Sequence, residues 1–162
     1  MSDNPSSQPT RGAGKVRQLR LVVEADDFDA ALAFYRDVLG MPEQEAYEEE
    51  GGARVVILDA GRATLELANP AQRQFIDRVE VGHDTGQRLR VALEVDDTQA
   101  STADVVAAGA QLVAEPRQTP WRSLNSRLNA PAGLHVTLFQ ELESLDERRQ
   151  REGFGTSDRH RS

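Results

Sequence analysis

Seven polar side chains fall where an alternating strand turns them to one face: Arg20, Glu24, Glu66, Arg90, Glu94, His135 and Thr137. A guanidinium is a planar fork of donors that stays protonated, so Arg20 and Arg90 suit the clamping of a carboxylate, phosphate or enolate oxygen. They suit equally an internal salt-bridge network with Glu24, Glu66 or Glu94, tolerated when every member is satisfied. His135 is a candidate general base, or else a histidine satisfied by a neighbouring carboxylate. The single tryptophan, Trp121, follows Thr119-Pro120 and either stacks on an aromatic ligand or caps the end of the fold. His83 lies in a Gly-rich connection and His160 in the final charged residues, so both read as surface groups. The sequence has no Gly-rich phosphate loop, nucleophile elbow or acidic metal-binding loop, and no residue is assigned a catalytic role.

The elements that must position these groups come from an internal repeat. Arg20-Leu-Val-Val-Glu-Ala-Asp-Asp27 is echoed by Arg90-Val-Ala-Leu-Glu-Val-Asp-Asp97, and Gly61–Leu67 by Ala132–Leu138. Each copy opens as a short alternating strand, followed by an Asp-Asp turn and an alanine-rich helix ending at Gly40 or Gly109. Asp27 and Asp97 suit N-caps, and the glycines suit C-caps. Three strands complete each half: near 44–49, 53–59 and 62–68, then near 111–115, 124–129 and 134–140. The fold class is α+β: two βαβββ modules forming a curved, open barrel-like mixed sheet with helices outside. Alternation puts Leu19, Leu21, Val23, Leu89, Val91, Leu93, Leu134, Val136 and Leu138 on the helix-facing side. Phe28, Leu32, Phe34, Tyr35, Val38, Val105 and Val106 are their partners. The seven polar groups then share the concave face, the default place for a ligand. Residues 69–81 predict a short amphipathic helix carrying Phe75, Ile76 and Val79, read as a lid or an interface element.

Composition narrows the function. Without cysteine there is no thiolate nucleophile, disulfide framework or sulfur-bound zinc. No apolar run approaches the roughly 20 residues that span a bilayer, and the polar start lacks a signal-peptide core, so a cytoplasmic chain without a membrane partner is expected. The net charge of −8 argues against nucleic acid. Residues 1–15 read as a disordered arm and 143–162 as a charged disordered tail that starts as a frayed helix. Between them lies one domain, 16–142: module one at 16–68, a connector at 69–87 and module two at 88–142. The two ends nearly cancel in charge, so the acidity belongs to the domain, with Glu43, Glu45, Glu48, Glu49 and Glu50 in a single run. Such runs usually form solvated edges that discourage strand pairing.

Phe34-Tyr-Arg-Asp-Val-Leu-Gly40, Arg90–Asp97, Thr119-Pro-Trp121 and Pro131-Ala-Gly-Leu-His-Val-Thr-Leu-Phe-Gln140 together resemble the vicinal oxygen chelate superfamily over about residues 17–142. That superfamily includes glyoxalases, extradiol dioxygenases, fosfomycin-resistance enzymes and bleomycin-binding proteins. The resemblance implies that Trp121 leads into cavity-lining strands. It also implies a divalent-metal site at Arg20, Glu66, Arg90 and Thr137, where only Glu66 is a ligand type. Guanidinium has no free lone pair, and two positive charges repel a cation. No cofactor is therefore expected; a divalent metal on relocated ligands, Glu66 and His135, is the alternative. The leading expectation is a glyoxalase- or bleomycin-resistance-like protein binding a small organic molecule through Arg20, Glu66, Arg90, Trp121, His135 and Thr137. The alternatives are a metal-dependent lyase, isomerase or dioxygenase, and a non-catalytic partner-binding module. The resemblance also allows a homodimer, with Phe75 and Ile76 offering a contact.

Overall fold

Asp27 starts the first helix by accepting a 3.1 Å hydrogen bond from the amide of Ala30, and Asp97 starts another by accepting from Ala100 at 3.0 Å. These are the two repeat-related N-caps. The computed structural model describes Gln18, Arg20, Leu21, Val23 and residues 25–48, 50–64, 66 and 68–150. Helix α1 spans Phe28–Leu32 and continues as a π-helical turn over Ala33–Val38, closed at Gly40 with φ +73°. Strands β1 (Glu43–Glu48) and β2 (Arg54–Leu58) pair antiparallel across a turn in which Gly51 and Gly52 both have positive φ. Helix α2 spans Pro70–Glu80, with Asn69 as N-cap and proline in its first turn, where a missing amide costs nothing. Strand β3 (Val91–Glu94), helix α3 (Thr98–Ala107) and strands β4 (Gln111–Gln118), β5 (Ser123–Ala130) and β6 (Leu134–Glu141) follow. A short helix, α4 (Leu145–Arg149), begins with a Ser144/Glu147 capping box.

The second module forms a mixed sheet in the order β3-β6-β5-β4, with β3 parallel to β6 and the other pairs antiparallel. One face carries Leu128, Val136 and Leu138, which pack with Val105, Ala110 and Phe34 in the core. Phe34 comes from the first module, so the first helix completes the second module's core. Tyr35 reinforces the contact by donating to the carbonyl of Pro131 at 2.8 Å. Val38 and Val106, expected among the core partners, are instead exposed. Two small polar groups are also accommodated under α3, where Thr102 and Ser126 share a 2.8 Å hydrogen bond.

The first module departs from the expected continuous sheet. Among the described residues of 18–25 and 62–68 none lies in a strand, and β1-β2 stands as a separate two-stranded sheet. Strand β1, Glu-Gln-Glu-Ala-Tyr-Glu, is exposed along its whole length. It offers no apolar face on which a larger sheet could be laid. A barrel-like continuity between the modules is not seen among the described residues. Arm 1–15 and residues 151–162 of the tail lie outside those residues, as do Leu19, Glu24 and Glu49, and His160 falls in the same part of the tail; the tail's described part includes α4. No described helix is long and apolar enough to cross a membrane.

Candidate functional site

The polar face of the four-stranded sheet is assembled by register. Arg127 on β5 faces Thr137 on β6, Asn129 faces His135, and Asn125 lies two residues from Arg127 on the same face. Helix α2 lies across these groups and presents Asp77 and Glu80, three residues apart and therefore on one side of the helix. All five of Asp77, Glu80, Asn125, Arg127 and His135 are buried.

Their contacts form one network. Arg127 Nε donates to Glu80 Oε2 at 2.5 Å, and Arg127 Nη2 donates to Asp77 Oδ1 at 3.1 Å. Asn125 Nδ2 donates to Glu80 Oε1 at 2.6 Å, and Arg90 Nη1 lies 3.3 Å from Glu80 Oε2 and 3.4 Å from Thr137 Oγ1. The other oxygen of Asp77 accepts from the amide and hydroxyl of Thr85 and from Arg73, which also grips Asp84. Burial pushes the Asp77 carboxyl up, but the Thr85 hydrogen bonds and Arg127 outweigh it and hold the group below the usual carboxylate range.

His135 completes the set. Arg127 Nη1 lies 3.1 Å from His135 Nε2, and a guanidinium can only donate, so Nε2 accepts. Nδ1 then carries the proton and donates to Asn129 Oδ1 at 3.0 Å. The ring is neutral, and burial followed by the Arg127 charge lowers its pKa below the ordinary 6.5. One acceptor is left over: Asn125 Oδ1 is buried without a hydrogen-bond partner.

Of the six expected site residues, Arg90, His135 and Thr137 come together here. Glu66 is exposed, although its charge acts on Arg90. Arg20 is exposed, hydrogen-bonds Gln18 at 3.5 Å and acts by its charge on Tyr47. Trp121 sits half-buried in the β4–β5 turn with its ring 6.3 Å from that of Phe75 on α2. Three expectations are corrected. Arg90 pairs with Glu80 of the connector, and among the described residues neither Glu66 nor Glu94 bonds to it, because α2 lays its carboxylates over the sheet; Glu24 lies outside the described residues. His135 is satisfied by Arg127 and Asn129, not by a carboxylate. Ile76, read as part of an exposed contact with Phe75, is buried. His83 is exposed, as read.

Sequence reasoning missed Arg127, Asn125, Asp77 and Glu80. The signal was there for the first two, since β5 alternates Asn125, Arg127 and Asn129 to the same face as His135.

The donor set does not suit a divalent cation. At the four positions where the resemblance implies metal ligands, Arg20 and Arg90 have no lone pair to give and Thr137 lies against Arg90. Among the described residues no group of three or more His, Asp or Glu side chains could hold a metal ion. A separate cleft of about 220 Å³ lies between α1 and the β1-β2 hairpin. Its charges are already matched, Arg36 with Glu43 at 3.2 Å and Arg54 with Glu48 at 3.3 Å.

A protein-family model described as a glyoxalase-like domain matches residues 20–139. No curated protein matches the chain. Among solved structures, the antibiotic binding protein TnmS3 from a Streptomyces species is 21% identical, covers 79% of this chain and 98% of its own, and superposes with a TM-score of 0.52. A glyoxalase/bleomycin resistance protein/dioxygenase superfamily member from Sphaerobacter thermophilus is 18% identical over 74% of this chain and 92% of its own, with a TM-score of 0.48. At these identities the likeness is one of fold.

Proposed function

The chain belongs to the glyoxalase-like domain family, and from that premise we propose that it binds a small organic molecule on the polar face of its four-stranded sheet, without a divalent metal. The observation that carries this reading is the pair of arginines, Arg90 and Arg127, meeting on Glu80 at the centre of that face. Arg90 is the accessible member: its side chain is 24% exposed, whereas that of Arg127 is 1% exposed. Among the described residues its hydrogen bonds, to Glu80 and Thr137, use Nη1, and the rest of the fork is offered to a ligand oxygen. Thr137 and His135 flank it, and Trp121 lies against the helix that covers the face. TnmS3, an antibiotic binding protein of similar fold, supports small-molecule binding as a use of this architecture.

The chain's one tryptophan provides the assay. Trp121 fluorescence is titrated with aromatic and aliphatic compounds that are anionic, neutral or cationic, using protein purified without chelators. A saturable change is expected for at least one class, at least tenfold weaker in Arg90→Ala. Metal analysis of the same protein is expected to find far less than one equivalent of any divalent ion. A stoichiometric ion whose removal abolishes binding overturns the metal-free reading. No saturable response from any class overturns binding itself.

A further inference from the structure

Resting on that reading, we propose that Arg90, Arg127 and Asn125 form a carboxylate-binding cradle which the chain keeps closed with its own Glu80. The ligand is a small carboxylate with a hydroxyl or ammonium group on the adjacent carbon, and it takes the place of Glu80.

The cradle is complete as a carboxylate site. One oxygen of Glu80 accepts from Asn125 Nδ2, and the other accepts from both Arg127 Nε and Arg90 Nη1. Charge-assisted donors to both oxygens of one carboxylate are the usual means of recognising that group. Removing the carboxylate without replacement would leave two guanidiniums short of a buried partner, which is strongly unfavourable. Exchanging it for another carboxylate restores every contact. The cradle therefore selects by charge, since a neutral ligand cannot repair what it displaces.

Glu80 is also the member placed to leave. It is the last residue of α2, followed by Val81 and by Gly82 at φ +98°. A carboxylate there faces the negative end of the helix dipole, so the helix itself gives it no support. Only the final turn has to open, and helix ends open most easily. Asp77, one turn earlier, stays fixed by Thr85, Arg73 and Arg127. The partly exposed Arg90 marks the side from which a ligand enters.

The orphaned Asn125 Oδ1 refines the ligand. It is the second end of the amide whose Nδ2 holds the carboxylate, in a residue 6% exposed. A buried acceptor without a donor is costly. A donor on the carbon beside the carboxylate would satisfy it.

The test is rescue of Glu80→Ala in the full chain, followed by thermal unfolding with propionate, L-lactate, lactamide or sodium chloride at matched ionic strength. The expected result is a Tm rise with propionate and a larger one with L-lactate, and none with lactamide or chloride. The wild type should also respond to L-lactate, but only at higher concentration, because Glu80 competes for the cradle; a wild type that shows no saturable response to either carboxylate overturns the displacement of Glu80. If the alanine variant does not fold alone, refolding it with and without lactate, and repeating the series on Glu80→Ser, which also empties the cradle, keeps the same readout. No rescue by either carboxylate, or an equal response to lactamide, overturns the cradle. Equal rises with propionate and lactate overturn the role given to Asn125 Oδ1. Failure of the broader reading looks different, because there no compound of any charge perturbs Trp121 in the wild type.

Discussion

Protonating His135 would set an imidazolium against the Arg127 guanidinium in a site nearly closed to water. Burial and that charge hold its pKa below 6.5 in the folded chain, whereas in the unfolded chain the ring titrates near 6.5. Between the two values the unfolded state binds more protons, so stability falls as pH drops through the window. The slope for one proton is at most about 1.4 kcal/mol per pH unit. Asp77 acts in a separate window: its lowered carboxyl supports folding at and above the usual carboxylate range and is lost only below it. Urea midpoints measured between about pH 7 and pH 5 should therefore decline in the wild type and flatten in His135→Gln. An unchanged slope in the variant would assign the decline to other groups. Arg90, His135 and Thr137 were legible because apolar residues alternate at Leu89, Val91 and Leu93 and at Leu134, Val136 and Leu138, which turns the residues between them to the other face. Arg127 was harder to see. Strand β5, Ser-Leu-Asn-Ser-Arg-Leu-Asn-Ala, places Ser126 on the helix side opposite Thr102, so polarity alone does not separate its faces. Asp77 and Glu80 were hidden because acidic residues on a short helix ordinarily face water, and only the buried Arg127 makes their burial tolerable.

At the scale of elements, the capped helices and the four strands of the second module were readable because local signals and tertiary packing agree there. Asp97, Gly109 and the alternation from Leu134 to Leu138 all point to the observed structure. The first module was read less well. Strand β1 of its hairpin has polar residues on both sides and β2 carries apolar residues on both, so which surface the hairpin covers depends on partners that alternation cannot identify. What ties that module down is the helix. Phe34 is 4% exposed and packs with Val105, Leu128, Val136 and Leu138, so α1 and the second sheet form one core. Truncating a buried phenylalanine typically costs 3–5 kcal/mol. Phe34→Ala should lower the stability of the whole chain by about that much, in a single unfolding transition. Val38, on the same helix but 41% exposed, provides the contrast: Val38→Ala should change stability by less than about 0.5 kcal/mol. Two separate transitions in either variant would mean that the modules do not share a core.

For the molecule as a whole, electrostatics act at two depths that differ in how far salt reaches them. The pairs made by Arg127 with Asp77 and Glu80 are buried and are screened little by mobile ions. Pairs such as Arg36–Asp37, Arg54–Asp29 and Arg149–Asp146 are exposed and contribute little individually. Around both lies a net charge of −8, concentrated in the domain because the two ends nearly cancel. Exposed Glu45, Asp59, Glu94 and Asp96 add to that field. Compacting like charge opposes folding. Raising ionic strength from about 0.01 M to about 0.15 M shortens the screening length from about 30 Å to about 8 Å, which weakens long-range repulsion more than contact pairs. Stability should therefore rise over this interval, measured as the urea midpoint at neutral pH in sodium chloride. A protein held mainly by surface ion pairs would show the reverse, and a falling midpoint here would mean that the exposed pairs outweigh the net charge. A rising midpoint would assign the salt response to the net charge, and not to the buried pairs of Arg127 with Asp77 and Glu80, which mobile ions screen little.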